Sequence, residues 1–235
     1  MIFERIILLL NGPLDQSQVT LIEPLLAAAG TAPLVCVDGG VRHLAPLGLN
    51  APQITWVGDN DSTPGELAVQ IPGPANQTRR YHHILKLPQE KDLSDFAAAL
   101  DSLREANLTH SPLLLEIFCG LGGSRSHEEA NLREAERFLG RRRAPTIIQF
   151  QPAVLLTNCR ITLAVTPCRQ FSIFALQTSS TTEVLIEGAL YDGARRLMRP
   201  SHGLNNRTSC DRLTVTPGAG EAIVLFLEPP PSLSP

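Results

Sequence analysis

The chain has 235 residues and a formal net charge of −3, from 20 basic and 23 acidic side chains. That length suits one large domain or two small ones, and without a positive excess no nucleic-acid partner is expected. A hydrophobic share of 43 % with 18 % charged residues, against a usual charged share of about 25 %, excludes disorder for the bulk of the chain.

The apolar run Ile6–Leu10 stops at Asn11-Gly12-Pro13. It is too short for a membrane span, which needs about 20 residues, or for a signal h-region of at least about 7, so no membrane partner is expected. The five cysteines, Cys36, Cys119, Cys159, Cys168 and Cys210, contain no C-x-x-C pair. They indicate neither a disulfide framework nor a zinc site, and fit a cytoplasmic protein with reduced thiols. The dense basic run, Arg141-Arg142-Arg143, falls at an expected helix end, where cations suit the carbonyl pole of the dipole.

In chain order, Ile2–Leu10 reads as a strand. Residues 16–29 read as a helix, with apolar positions at Val19, Ile22, Leu25 and Leu26. Leu34–Val37 is a second strand, followed by a glycine pair and a short helix to about Leu47. Ile54–Val57 and Tyr81–Leu87 are further strands. Asp92–Ala106 is a helix with Leu93, Phe96, Ala97, Leu100 and Leu103 on one face. Leu113–Phe118, His127–Leu139 and Thr146–Phe150 follow as strand, helix and strand. This alternation predicts an α/β fold over residues 1–150, with a parallel sheet covered on both faces.

Near Pro152 the pattern changes. From there to Leu227 there is no helical period, only short β-rich runs at Val154–Leu156, Ile161–Val165, Phe171–Leu176, Thr182–Ile186, Leu213–Val215 and Ala222–Leu227. These predict a smaller all-β sandwich over residues 151–228. Residues 229–235, rich in proline, are expected to form a flexible tail.

Candidate chemistry gathers where the first strands end, the edge at which open parallel sheets bind ligands. Asn11-Gly12 follows the first strand, Asp38-Gly39-Gly40 the second, Gly58-Asp59-Asn60-Asp61-Ser62 the third and Gly120-Leu121-Gly122-Gly123 the strand ending at Phe118. Glycines there let backbone N–H groups approach a phosphate, or simply permit tight turns. A Walker A loop is excluded, because neither lysine, Lys86 nor Lys91, follows a glycine. A dinucleotide fingerprint starting at Gly120 would end on Arg125 and not on glycine. Asp59 and Asp61, two apart beyond a strand, point to one side and suit Mg²⁺ with phosphate oxygens; an Asx turn is the other reading. Asp92 and Asp95 read as an N-cap and a first-turn residue of the following helix, with Lys91 beside them as a phosphate-facing cation.

Taken in order, Asp38-Gly39-Gly40, Gly58–Ser62, Lys91-Asp92-Leu93-Ser94-Asp95, the Gly-Gly-x-x-x-His of Gly122–His127 and Ser201-His202-Gly203-Leu204-Asn205-Asn206 resemble the motifs of the thiamine pyrophosphokinase family. The resemblance runs from about Arg5 to Leu227. It implies an N-terminal α/β nucleotide domain, a C-terminal β-sandwich and a homodimer with thiamine held between subunits. It further implies ATP-dependent pyrophosphoryl transfer to the thiamine hydroxyl, giving thiamine diphosphate and AMP. By the same resemblance Asp59, Asp61 and Asp95 hold Mg²⁺, and Lys91 and Arg125 stabilise charge on the transferring group. Asp38, Gly39, Gly40, Gly122, Gly123 and His127 contact the nucleotide. Ser201, Asn205 and Asn206 contact thiamine or order its loop.

Several residues depart from the family pattern. Asn60 stands for Phe, Ser94 for Thr and Asn205 for Ser. In the loop Gly122–His127 the family has Gly-Gly-Arg-x-Asp-His, whereas this chain has Ser124 and Ser126 at the Arg and Asp positions, with Arg125 one residue late. Arg125 either reaches the phosphate from a shifted loop or the loop has lost that role. Two alternatives follow: a pyrophosphokinase for another small alcohol such as a pterin, or a catalytically weak nucleotide-binding homologue.

Overall fold

Alternate residues of the first strand pack into two different cores, Ile6 and Leu8 into one and Ile7 and Leu9 into the other. A strand buried on both sides in this way lies inside a helix-covered sheet. The computed structural model describes residues 2–28, 32–47, 54–59, 61, 71–72, 78–79, 83–90, 92–103, 110–176 and 182–228. Its first half contains β1 (Glu4–Leu9), α1 (Gln16–Ala28), β2 (Leu34–Val37), a 3-10 helix (Asp38–His43), β3 (Ile54–Gly58), β4 (Ile71–Pro72), β5 (Thr78–Arg79) and β6 (His83–Lys86). α2 (Asp95–Leu103), β7 (Leu113–Phe118), α3 (Arg125–Gly140) and β8 (Thr146–Phe150) complete it.

Strands β8, β7, β1, β2, β3 and β6 lie side by side in that order, all parallel. One face is covered by α2 and α3 through Phe96, Leu100, Ala135, Phe138 and Leu139. The other is covered by α1 through Ile22, with Val19 and Leu25 packed beside it. After β3 and β6 extend the sheet on one side of β1, the chain returns to place β7 on the other. The strand order therefore reverses at β1, and such a reversal opens a crevice at the carboxyl ends.

The remaining strands are β9 (Val154–Thr157), β10 (Ile161–Ala164), β11 (Gln170–Ala175), β12 (Thr182–Glu187), β13 (Gly193–Leu197), β14 (Asn206–Arg207), β15 (Arg212–Pro217) and β16 (Ile223–Leu227). The change of pattern near Pro152 is a change of pairing, and the sheet itself does not break there. β9 runs antiparallel to β8, and β16, β11 and β14 continue outward, giving one ten-stranded mixed sheet. A second antiparallel sheet, β10-β15-β12-β13, covers the far part of its face. Phe171, Ile173, Ile223 and Leu225 of the large sheet pack with Val184, Ile186, Leu213 and Val215 of the small one. The expected sandwich exists, but one of its layers is the end of the α/β sheet. β12 displays the half-buried alternation of such a layer, with Thr182, Val184 and Ile186 buried and the residues between them exposed.

Two local readings need correction. β13, Gly-Ala-Arg-Arg-Leu, has no β-branched residue and buries only Leu197, so no strand pattern is visible in its sequence; it forms by pairing at the sheet edge with β12. The second helix starts at Asp95 and not Asp92. The Ser94 hydroxyl accepts the Ala97 N–H at 3.1 Å and the Ser94 carbonyl accepts Ala98 N–H at 3.0 Å, so Ser94 is the N-cap. The tail 229–235 lies outside the described residues, and among the described residues no helix is long and apolar enough to cross a membrane.

A buried polar contact ties these parts together. Asp15 caps α1, its carboxylate accepting the Gln18 N–H at 2.8 Å, and Gln18 itself is 3 % exposed. Gln18 Oε1 accepts Cys119 N–H at 3.3 Å, and Gln18 Nε2 donates to the Gln151 carbonyl at 3.3 Å. Replacing Gln18 by Leu leaves those backbone groups buried and unpaired. We expect a loss of about 1–3 kcal/mol, read as a lower urea midpoint with an unchanged m-value.

Candidate active site

The site begins with the backbone at the end of β2. Asp38 adopts φ +44°, a left-handed conformation that a residue with a side chain takes up at a cost. Neighbouring groups hold it there. Trp56 Nε1–H donates to the Asp38 carbonyl at 3.0 Å, and Gly58 lies so close that a Cβ there would sit 2.9 Å from Asp38 Cα. Asp38 is 6 % exposed, and its Oδ1 is buried with no hydrogen-bond partner among the described residues.

Beyond β3, Asp59 Oδ1 accepts the Asp61 N–H at 3.1 Å, so the Asx turn, the other reading of this pair, is present. The turn folds the second carboxylate back towards the first. One carboxylate oxygen from each of Asp38, Asp59 and Asp61 lies within 4.8 Å of the others. Asp59 is buried and Asp61 exposed. Three charges this close repel unless a cation intervenes, and an all-oxygen donor set suits a hard cation such as Mg²⁺. The buried, unpartnered Asp38 Oδ1 is what such an ion would satisfy. Asp38, read from the sequence as a nucleotide contact, thus joins the carboxylate group itself.

In front of these carboxylates lies a cavity of about 450 Å³, within the range of small-molecule sites. Asp38, Asp61 and Asp95 line it, with Asn11, Gly12, Ser94, Cys119, Gly120 and Gly123. Asp95 reaches it because Ser94 takes the cap and leaves the Asp95 carboxylate in the first turn of α2. Lys91 and Asn60 lie outside the described residues. Opposite stands the start of α3, where Ser124, His127, Glu128 and Asn131 line the wall, the i, i+3, i+4, i+7 face of that helix. Arg125 is exposed and is not among the lining residues. A shift of one residue along a helix is a turn of about 100°, and this carries Arg125 off the face on which Ser124 sits. The Ser124 and Ser126 hydroxyls bond each other at 2.8 Å. Among the described lining residues His127 is the only histidine, and no lysine or arginine stands beside it.

The glycine loop after β7 is clamped by side chains that no sequence motif singled out. Glu128 Oε1 accepts Gly122 N–H at 2.6 Å and Asn131 Nδ2 donates to the Gly120 carbonyl at 2.9 Å. Cys119 has φ +56°, and burial, with a smaller contribution from Asp15, pushes its thiol up to about 12. His43 bonds the Gly12 carbonyl at 2.9 Å; burial, aided by the neighbouring Arg42, holds its imidazole below the usual range. The spacing of Glu128 and Asn131 from Ser124 on a helix opening after Gly-Gly was the available sign of their role.

The residues expected to contact thiamine do not line this cavity. Ser201 is exposed in a 3-10 turn, Pro200–Gly203. Asn205, at φ +57°, is exposed and accepts Gln170 Nε2–H at 2.7 Å. Asn206 is buried, and its side chain binds Tyr191 N–H, the Tyr191 carbonyl and Arg207 N–H at 3.1, 3.2 and 2.8 Å. Of the two roles left open for Asn206, ordering its loop is the one these bonds perform.

No family model and no curated protein matches the sequence, but solved structures do. A thiamin pyrophosphokinase from Geobacillus thermodenitrificans is similar over 97 % of this chain and 100 % of its own, with a TM-score of 0.66 at 20 % identity. One from Bacillus subtilis covers 96 % of this chain and 100 % of its own, at TM-score 0.64 and 18 % identity. The thiamin pyrophosphokinase of Candida albicans covers 96 % of this chain and 89 % of its own, at TM-score 0.68 and 13 % identity. Across both sheets and the crevice at β1, the chain has the fold of the thiamin pyrophosphokinases.

Proposed function

We propose that the chain belongs to the thiamine pyrophosphokinase family and transfers pyrophosphate from ATP to thiamine. The hydroxyl oxygen of thiamine attacks the β-phosphorus, the bond from that phosphorus to the α-phosphate's bridging oxygen breaks, and AMP leaves. The hydroxyl proton passes to a base that the residues do not yet identify. The observation that carries this reading is the carboxylate group Asp38, Asp59 and Asp61 at the mouth of a cavity also lined by Asp95, on this fold. Asp38, Asp59 and Asp61 would hold Mg²⁺, which when bound neutralises charge on the phosphate oxygens; Asp95, which lines the cavity without joining the 4.8 Å group, is assigned to the ion from its place in the Lys-Asp-x-x-Asp segment. The rest of the transfer depends on alignment. Lys91 is assigned to the transferring group from its place in the Lys-Asp-x-x-Asp segment. Gly39, Gly40, Gly122, Gly123 and His127 are assigned to the nucleotide.

The thiamine contacts, Ser201 and Asn205, lie away from the carboxylates' cavity within one chain, which supports a homodimer whose sites are completed by a partner. The second half also exposes Leu190, Tyr191, Met198 and Leu204, apolar side chains that a partner could cover. A specific observation favours a second reading. With Ser124 and Ser126 in the loop and Arg125 turned off the cavity, the scaffold suits another small alcohol such as a pterin, or weak turnover. We therefore leave Arg125 out of the phosphate contacts.

Incubating the protein with ATP, Mg²⁺ and thiamine should yield AMP and thiamine diphosphate in equal amounts; ADP as product, or ATP consumption only with a different alcohol, rejects the reading. Asp59→Asn should lower turnover about a hundredfold to a thousandfold, the scale of losing a major electrostatic element. Its fold should be retained, because the asparagine oxygen still accepts the Asp61 N–H, so an equal loss of melting temperature would favour a purely structural role. Arg125→Ala should change turnover by less than about threefold, roughly 0.65 kcal/mol, while Ser124→Arg combined with Ser126→Asp should raise thiamine-dependent AMP release. A tenfold loss in Arg125→Ala would return that arginine to the phosphate. Sedimentation should find a dimer, with thiamine binding lost on dilution to monomer; a monomer that binds thiamine excludes the shared site.

A further inference from the structure

Asn11 lies at the carboxyl end of β1, where the strand order reverses, and lines the cavity. Its Oδ1 accepts a hydrogen bond from the Arg42 guanidinium, and Arg42 Nε–H donates to the Gly39 carbonyl at 3.0 Å. A guanidinium can only donate, so the amide atom facing it must be oxygen. The orientation of the Asn11 amide is thereby fixed, with Nδ2 as the polar atom left for a ligand; no hydrogen bond engages it among the described residues. The backbone has made room for this pair. A Cβ at Gly39 would sit 2.5 Å from Asn11 Oδ1 and 2.6 Å from Arg42 Nη2.

We infer that Asn11 is a ligand-binding residue whose Nδ2–H₂ donates to a phosphate oxygen, and that Arg42 is the positioning residue that aims and polarises it. The cleft explains the indirect arrangement. Asp38, Asp61, Asp95 and Glu128 line it, so a guanidinium placed directly on this wall would be drawn to a carboxylate as well as to the ligand. A neutral amide is not captured in that way. A charged donor on its oxygen makes its N–H groups stronger donors, since hydrogen bonds in series polarise one another. The Arg42 charge thus acts at the ligand through Asn11.

This inference rests on the nucleotide half of the proposed function and does not require thiamine. The test is calorimetric titration of the full chain with Mg–ATP and, separately, Mg–tripolyphosphate. Asn11→Ala removes the donor without adding charge, and should raise Kd for both ligands about tenfold to a hundredfold with the melting temperature retained. Gly39→Ala should raise both in the same direction, because its Cβ meets only movable side-chain ends and displaces the pair. Arg42→Leu should raise both by less than Asn11→Ala. Unchanged Kd values in Asn11→Ala overturn the inference. A loss confined to ATP also overturns it, by moving the contact to the nucleoside. If neither ligand binds the unsubstituted protein, the inference is likewise overturned. Binding of both, lost in Asn11→Ala but without thiamine diphosphate formation, rejects the thiamine reading and leaves this inference standing.

Discussion

Mutual repulsion among Asp38, Asp59 and Asp61, with oxygens held within 4.8 Å, is the constraint around which the crevice is built. Carboxylates left to themselves would swing into water, so the fold must fix their backbones. Asp38 is held in a left-handed conformation by the Trp56 hydrogen bond and by Gly58 pressed against it. Asp61 is brought back by the Asx turn on Asp59. Strain of this kind persists only where surrounding contacts over-determine it, and here both strands supplying those contacts are parallel neighbours deep in the sheet.

The opposite wall uses buried polar bonds where the first wall uses crowding. The loop from Cys119 to Gly123 is irregular backbone at the rim of a core, and its N–H and C=O groups need partners. Gln18, Glu128 and Asn131 provide them from two different helices. The geometry of this wall therefore depends on α1 and α3 being docked, which links the stability of the sheet's covering layers to the shape of the cavity. Asn11 follows the same rule, its amide oriented by Arg42 from the 3-10 helix after β2.

Continuity of the large sheet through β8 and β9 has a consequence for the second half. Because one layer of the sandwich is the end of the large sheet, the two halves share a core surface. Core residues Val154 and Leu156 face the helices, while Leu155 between them faces the small sheet. A single strand thus serves both halves.

Much of this was legible in the sequence because it depends on local periodicity and local chemistry. The bounds of β2, β7 and β8 follow from apolar runs closed by turn residues, and the placement of Asp59, Asp61 and Asp95 at strand and helix ends follows from their neighbours. The Asx turn and the capped start of α2 are likewise local, although the cap is Ser94 and not Asp92, two residues earlier. What the sequence could not decide involves residues far apart in the chain. The joining of Asp38 to the carboxylate group depends on the register of β2 against β3, and Gln18 meets Cys119 across 101 positions. Whether the sandwich stands alone or borrows a layer depends on β9 pairing with β8, and which face of α3 lines the cavity, with Ser124 on it and Arg125 off it, depends on how that helix docks. Spacing along the chain fixed which side chains are near a strand end; only tertiary packing decided which way they point, because direction is set by neighbours that no local pattern contains.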